Sequence, residues 1–274
     1  MTTQPGGSSP VPEEPPAGAV MASPGLERMV DFTRTSVGLI SLTDLGTGSY
    51  QGFQGGLYPG GTNEPPAAYR QIGIARARAV QPLNQEGIPA AAGAIVLLGI
   101  GFSNTTQEFS AFKLEADRDS QKNPRLVIVD GAQGGQDALT ISNPDANYWK
   151  VVDQRIRQAG VSDAQVQAVW FKEVIPRRQF LGSFPEDARH LQRAFAADIA
   201  LLARRYPNLQ LIYAASRTYG GYSTSNASPE PYSYHNGFAV KWLIAEAING
   251  AMGRPWLAWG RICGPMAPRA GAMV

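Results

Sequence analysis

The chain is poor in the residues that bind transition metals. Its 274 residues include one cysteine, Cys263, and two histidines, His190 and His235. A single cysteine cannot form an internal disulfide, and these three residues cannot assemble the usual zinc ligand sets. We therefore expect no metal and no other cofactor.

Strong net charge and long hydrophobic runs are also missing. Lys and Arg total 24 against 22 for Asp and Glu, so no strong field would steer the chain to nucleic acid or to an anionic membrane surface. The longest apolar run lies at about residues 95–100, far short of the roughly 20 residues that span a bilayer. The sequence predicts no nucleic-acid binding and no membrane span, and it favours a small, neutral partner.

Composition divides the chain into four segments. Residues 1–25 are rich in Pro, Gly and Ser, which predicts a disordered tether, and no signal peptide is visible there. Residues 26–93 are rich in Gly and aromatic residues and predict an irregular lead-in packed on the core, with one helix over 67–80. Residues 94–260 have the pattern of a folded α/β domain, and residues 261–274 have no periodicity.

Within residues 94–260, short apolar runs alternate with amphipathic stretches. The runs IVLLGIG, RLVIVDG, VQAVWFKEV and NLQLIYAAS are apolar along both faces. Apolar strands separated by helices indicate a parallel sheet that is covered on both sides. We therefore predict an α/β fold, a three-layer α/β/α sandwich with a mostly parallel sheet.

Two later helices and a last strand complete this pattern. A helix over 187–206 places four apolar residues at helical spacing, which predicts a core face: Leu191, Phe195, Ile199 and Leu202. A second helix is predicted over 237–252, and the short run WLAW that follows is a further strand.

The loops after the strands are the place to search for a site, because ligands of an open parallel sheet bind at the carboxyl ends of its strands. The loop GFSNTTQEF places Ser103 at a strand-to-helix turn, beside the free backbone N–H groups of a helix start. That position suits a nucleophile, and Ser103 or Asn104 could instead simply cap the helix. In the next loop, Gly134 and Gly135 would let the backbone approach a developing oxyanion, or would only form a tight turn.

The strand, Gly-Phe-Ser-Asn-Thr and the helix that follows resemble the first block of the SGNH (GDSL-type) hydrolase family, whose usual form is Gly-Asp-Ser-x-Ser/Thr. Ser103 matches the family's nucleophile, and Phe102 stands where the family has Asp. Gly134 and Gly135 match the second block, which implies that the Gly135 N–H helps to hold the oxyanion. The resemblance covers roughly residues 94–260.

The resemblance implies a flavodoxin-like (SGNH-type) sheet and a serine esterase. Its substrate would be a small-molecule ester or an acetylated saccharide, and the protein would be secreted or periplasmic. Asn104, Gly134, Gln136 and Tyr219 are the candidate substrate-binding residues, the last in a loop rich in Tyr and Gly that suits a sugar ring.

The family's two remaining blocks have no direct match. Its third block supplies an Asn donor, and Lys172 occupies that region, either as an oxyanion donor or as part of an exposed, solvated Lys-Glu strand end. Its last block is Asp-x-x-His, which orients and activates the nucleophile and which this chain lacks. His235 precedes a predicted helix and is the candidate base, with Glu230 the nearest preceding acid, whereas His190 is predicted to lie on the surface.

The last fifteen residues, GRICGPMAPRAGAMV, resemble an out-of-frame tail. Restoring one C in the codons of Gly-Arg-Ile changes them to Gly-Pro-Tyr, and the new frame resembles a sequence that leads to Asp-Gly-x-His-Pro in relatives. We expect the catalytic Asp and His in that frame, so that the esterase activity of the present chain is impaired. We also expect apolar surface to be exposed near Trp256 and Trp259.

Two alternatives belong to a different class of protein. A flavodoxin-like binder would use the turn from Ser103 to Thr106 to cradle a phosphate, for example that of FMN. A non-catalytic relative would bind a small molecule or a carbohydrate without reacting with a serine probe.

Overall fold

The computed structural model describes residues 37–250 and 255–260. The predicted tether over 1–25 and the predicted out-of-frame residues 261–274 therefore lie outside the described residues. The helices are α1 (Leu42–Leu45), α2 (Ala67–Arg78), α3 (Ser103–Arg118), α4 (Ala138–Ile141), α5 (Asn147–Gln158), α6 (Glu186–Arg205) and α7 (Tyr232–Ile248). The strands are β1 (Ser49–Tyr50), β2 (Phe53–Gln54), β3 (Ile95–Gly101), β4 (Leu126–Asp130), β5 (Val166–Lys172), β6 (Leu211–Ala214) and β7 (Trp256–Trp259).

Strands β3 to β7 form one parallel sheet in the order β4-β3-β5-β6-β7. From β3 the chain passes to β4 on one side and then crosses to β5 on the other side of β3. The carboxyl ends of β3 and β5 therefore flank the point at which the strand order reverses, where open α/β sheets bind their ligands. The predicted α/β class and the flavodoxin-like sheet are confirmed.

Helices cover both faces of this sheet. Trp170 of β5 stacks on Phe109 of α3 with ring centroids 5.6 Å apart, whereas the next residue, Phe171, meets Phe195 of α6 at 5.2 Å. Because successive strand residues point to opposite faces, α3 and α6 lie on opposite sides of the sheet. Helix α7 packs beside α6, and α2 packs on β6 and β7. None of the described helices is long and apolar enough to cross a membrane.

The helix predictions agree with the structure, except at α7, which ends at Ile248 rather than at the predicted residue 252 and also differs at its start. The predicted core stripe of α6 is confirmed, since Leu191, Phe195, Ile199 and Leu202 are all buried. Helix α7 begins at Tyr232, five residues before the predicted start at Gly237. Gly237 does not mark a boundary because it serves packing instead: a Cβ there would lie 2.8 Å from the Leu42 side chain.

The prediction of exposed apolar surface near the last strand is wrong. The indole N–H of Trp259 donates to the Leu57 carbonyl at 2.7 Å, and that of Trp256 donates to the Tyr69 carbonyl at 3.0 Å. Trp259 is only 8% exposed and Trp256 is half-buried. Helix α2 and the segment before it therefore cover this edge of the sheet.

Candidate active site

Ser103 is the first residue of α3 and lies directly beyond the carboxyl end of β3. The N-cap position is held by Phe102, with an extended backbone and no side-chain cap. The alternative in which Ser103 or Asn104 caps the helix is therefore wrong, because a capping residue must precede the first helical residue. Ser103 is half-buried, and its hydroxyl has no hydrogen-bond partner among the residues described.

The turn that carries Ser103 is fixed to the end of β5. The Thr105 hydroxyl donates to the Lys172 carbonyl at 2.5 Å, and the Phe102 N–H donates to the same oxygen at 3.4 Å. Gly101 is required here, since a Cβ would lie 2.2 Å from that oxygen. The N–H groups of Ser103 and Asn104, in the first turn of α3, make no backbone hydrogen bond within the described chain.

The glycine loop after β4 runs beside this turn. The Gln133 N–H donates to the Gly101 carbonyl at 2.9 Å, so the loop continues along β3 beyond the strand itself. A Cβ built on Gly134 would lie 3.8 Å from the Ser103 Cβ, and Gly135 has a positive φ of 76° that favours glycine. Gln136 follows in the same loop and is half-buried. The structure therefore brings Ser103, Asn104 and the Gly134 backbone together.

Lys172 is buried, so the prediction of an exposed Lys-Glu strand end is wrong. Its ammonium group donates to both carboxylate oxygens of Glu108 on α3, at 2.6 and 2.7 Å, and only 2% of Lys172 is exposed. The neighbouring Glu173 is also buried, and burial, followed by the charge of Asp198, raises the pKa of its carboxyl well above the ordinary value. The Lys172–Glu108 pair connects α3 to β5, and a role for Lys172 in holding an oxyanion stays a prediction.

Arg217, in the loop after β6, reaches the same site. Its Nη1 donates to the side-chain oxygen of Asn104 at 2.6 Å, and its backbone N–H donates to the Asn236 side chain at 3.3 Å. Asn236, on α7, in turn donates to the Glu173 carbonyl at 3.0 Å. Sequence reasoning identified this loop as a place to search but missed Arg217 and Asn236, because their partners are far away in the chain.

His235 lies inside the first turn of α7 and is buried, whereas the sequence predicted that it precedes the helix. Its Nδ1 is 2.8 Å from the Asp187 carboxylate on α6, and its Nε2 is 3.1 Å from the Tyr50 hydroxyl. The acid beside His235 is thus Asp187, and Glu230 accepts the backbone N–H groups of Gly220 and Tyr234 instead. Neither ring nitrogen is bonded to Ser103.

Two other residues from the sequence analysis, His190 and Tyr219, take no part in the contacts described above. His190 is exposed on α6, as predicted. Tyr219 packs edge-on against Tyr222, with ring centroids 5.3 Å apart, in the loop that also carries Arg217. Among the described residues, no group of three or more His, Cys, Asp and Glu side chains could hold a metal ion.

Comparison with family models, with curated proteins and with solved structures finds no match for this chain. Any functional assignment must therefore rest on the geometry of the site.

Proposed function

We propose that this protein is an SGNH-type serine hydrolase that cleaves a carboxylic ester or a carbohydrate O-acetyl ester, with Ser103 as its nucleophile. The observation that carries the proposal is the position of Ser103. It stands at the start of a helix beyond β3, next to the reversal of strand order, with the Gly134 backbone against it.

The site has the donors that acyl transfer requires. When the Ser103 oxygen adds to the ester carbonyl, the carbonyl oxygen becomes an oxyanion, and preorganised N–H groups lower the energy of that state. The backbone N–H groups of Ser103 and Gly135 take this role in the proposal. Asn104 adds a side-chain amide, because Arg217 engages its oxygen and leaves its nitrogen as a donor.

A general base must also accept the Ser103 proton. Neither histidine contacts Ser103 within the described residues, since His235 is bonded to Asp187 and Tyr50 and His190 is exposed. Strand β7 is parallel to β6, so its last residue, Trp259, lies at the carboxyl edge of the sheet, as Ser103 does. The proposal assigns the base to the residues after Gly260, read in the restored frame.

Labelling with a fluorophosphonate serine probe tests the proposal. The probe is applied to the native chain and to a version in which the residues after Gly260 follow the restored frame. Each is compared with Ser103→Ala and with Ser110→Ala, a matched control because Ser110 is an exposed serine on the same helix. Removing one member of a catalytic triad lowers kcat by several orders of magnitude. We therefore expect rapid labelling only in the restored version, lost in Ser103→Ala and kept in Ser110→Ala.

Absence of labelling in a folded, restored protein would overturn the proposal. A phosphate-binding or carbohydrate-binding protein on the same sheet would then be the better description. The structure gives the phosphate cradle little support, because the hydroxyls of Thr105 and Thr106 already donate to main-chain carbonyls.

A further inference from the structure

We propose that Arg217 selects substrates with an anionic group, so that the preferred ester carries a free carboxylate on the same small molecule. This inference rests on the proposed function and adds a substrate class to it. Arg217 acts in it as a specificity-determining residue.

The first support is that the Arg217 guanidinium has no anionic partner. No carboxylate within the described residues lies within 4 Å of it. Its Nη1 donates to the neutral amide of Asn104, and its Nε is buried without a hydrogen-bond partner among the described residues. A buried charged donor without a partner is costly, and a ligand that accepts a hydrogen bond from it recovers that cost.

Three acidic residues have charges that act on Arg217, but none of them forms an ion pair with it. Burial lowers the pKa of Arg217, and the charges of Glu108, Glu173 and Glu230 oppose that shift. Glu108 is paired with Lys172, and Glu230 accepts two backbone N–H groups. The pKa of Glu173 is raised well above its ordinary value, so its carboxyl stays protonated more readily. None of these acids therefore forms an ion pair with the Arg217 guanidinium, which keeps hydrogen-bonding capacity for a ligand.

The positions of Ser103 and Arg217 along the sheet edge fit a substrate that has an ester at one end and a carboxylate at the other. In the sheet order, β4 and the Gly134 loop lie on one side of β3, and β5 and β6 lie on the other side. Asn104 is next to Ser103 and is bonded to Arg217, which follows β6. An ester whose carbonyl oxygen points to the Gly134 side can thus extend its other end along the sheet edge toward Arg217.

Arg217 is also held firmly enough to discriminate. Its backbone N–H is bonded to Asn236, and Asn236 is bonded to the end of β5. Its planar guanidinium matches a carboxylate with two parallel hydrogen bonds, a geometry that a lysine ammonium does not reproduce.

Binding of two related esters tests the inference without turnover. Monomethyl succinate and dimethyl succinate are titrated by calorimetry at neutral pH into Ser103→Ala, which cannot form an acyl-enzyme. A charge-assisted hydrogen bond corresponds to about a tenfold change in Kd. We expect the monoester to bind about tenfold more tightly than the diester. Adding Arg217→Gln should abolish that preference.

Two further variants complete the design. Adding Arg217→Lys keeps the charge, loses the planar fork and should retain only part of the preference, which also serves if Arg217→Gln does not fold. Adding Arg204→Gln removes an exposed arginine on α6 and should change nothing.

The outcomes separate this inference from the proposed function. Equal binding of the two esters, binding of neither, or a preference that survives the loss of the Arg217 charge overturns the inference, even where Ser103 is labelled by the fluorophosphonate. A preference that depends on Arg217, together with an unlabelled Ser103, leaves an anion-binding site and overturns the hydrolase instead.

Discussion

Two regions of the molecule gather the residue types of a serine hydrolase, and they differ in how their hydrogen bonds are used. At the sheet edge, the Ser103 hydroxyl and the backbone N–H groups of Ser103 and Asn104 are unpaired within the described chain. In the interior, His235 is bonded on one side to Asp187 and on the other to Tyr50. This Asp-His pair connects α6 to α7, and its second ring nitrogen meets Tyr50 rather than Ser103. A site needs polar groups whose bonding capacity is still unused.

Two aspartates of α6 extend this comparison. Asp187 is paired with His235 and lies 3.9 Å from Arg178, whose guanidinium is also buried. Asp198, three turns further along the helix, is fully buried and has neither carboxylate oxygen hydrogen-bonded within the described residues. Burial without a hydrogen-bond partner raises the pKa of Asp198, so its carboxyl is more stable with a proton.

The largest effect is expected for Asp187→Ala. This change leaves the buried Arg178 without its nearby charge and His235 without its acceptor, and breaking a buried pair costs about 3–5 kcal/mol. Urea unfolding measures the loss. Asp153→Ala is the control, because the Asp153–Arg205 pair is partly exposed and such pairs contribute about 1 kcal/mol or less.

Asp187→Ala also tests whether the buried Asp-His pair is structural or belongs to the site at the sheet edge. If Asp187→Ala keeps its stability but abolishes fluorophosphonate labelling of Ser103, the buried Asp-His pair belongs to the catalytic machinery. We expect the reverse: in the version with the restored frame, Asp187→Ala is less stable, and its folded fraction is labelled at the rate of the restored parent.

Sequence patterns predict the strands and the buried helix faces well, because both depend on local periodicity. The runs that form β3 to β6 and the core stripe of α6 lie where apolar spacing places them. The Ser103 turn follows for the same reason, since a strand followed by a helix puts its connecting residues at the carboxyl edge.

The partners of the charged residues could not be predicted in this way. Lys172 has the sequence context of a solvated strand end, yet Glu108 approaches it from α3, 64 residues earlier. Glu230 is the acid nearest before His235 in the chain, but Asp187 is the one in contact, 48 residues away. Such pairs depend on how helices pack, and a single sequence carries no periodic signal for that packing.

The next prediction concerns Asp198, which has no hydrogen-bond partner among the described residues, and its effect on how the free energy of unfolding depends on pH. Burial, followed by the charge of Asp137, raises the pKa of Asp198 well above its ordinary value of 3.8. The folded chain then binds this proton more tightly than the unfolded chain, so the free energy of unfolding falls as pH rises above that value. Asp198→Asn removes this dependence. In urea titrations we expect the variant to gain stability relative to the native chain between about pH 4 and pH 7.

Asp117→Asn provides a control of opposite sign. Hydrogen bonds from Lys113 and Lys122 lower the pKa of the exposed Asp117, so its stabilisation is present at neutral pH and is lost as pH falls. Asp117→Asn should therefore lose a little stability at neutral pH and none in acid. Parallel pH profiles for native protein and Asp198→Asn would mean that the pKa of Asp198 is the same in the folded and unfolded chains, and would contradict the prediction.

The smallest effect on stability is expected at the sheet edge itself, where alanine substitutions of Gly134 and Gly135 should differ in their cost. A Cβ on Gly134 would make only an ordinary contact, 3.8 Å from the Ser103 Cβ, so Gly134→Ala should change the free energy of unfolding by less than about 0.5 kcal/mol. Gly135→Ala should cost about 1–2 kcal/mol, because its φ of 76° is unfavourable for alanine.

In the version with the restored frame, which is the reference for the labelling rates here, the effects of the two substitutions on fluorophosphonate labelling should have the reverse order. The methyl group of Gly134→Ala stands beside the nucleophile and narrows the approach of the probe, so we expect several-fold slower labelling of Ser103 in a protein that unfolds like the native one. The methyl group of Gly135→Ala has no neighbour within 4 Å, so the folded variant should be labelled faster than Gly134→Ala. Native-rate labelling of a fully folded Gly134→Ala would mean that this backbone does not border the reacting atoms, and the second block of the proposed site would be lost.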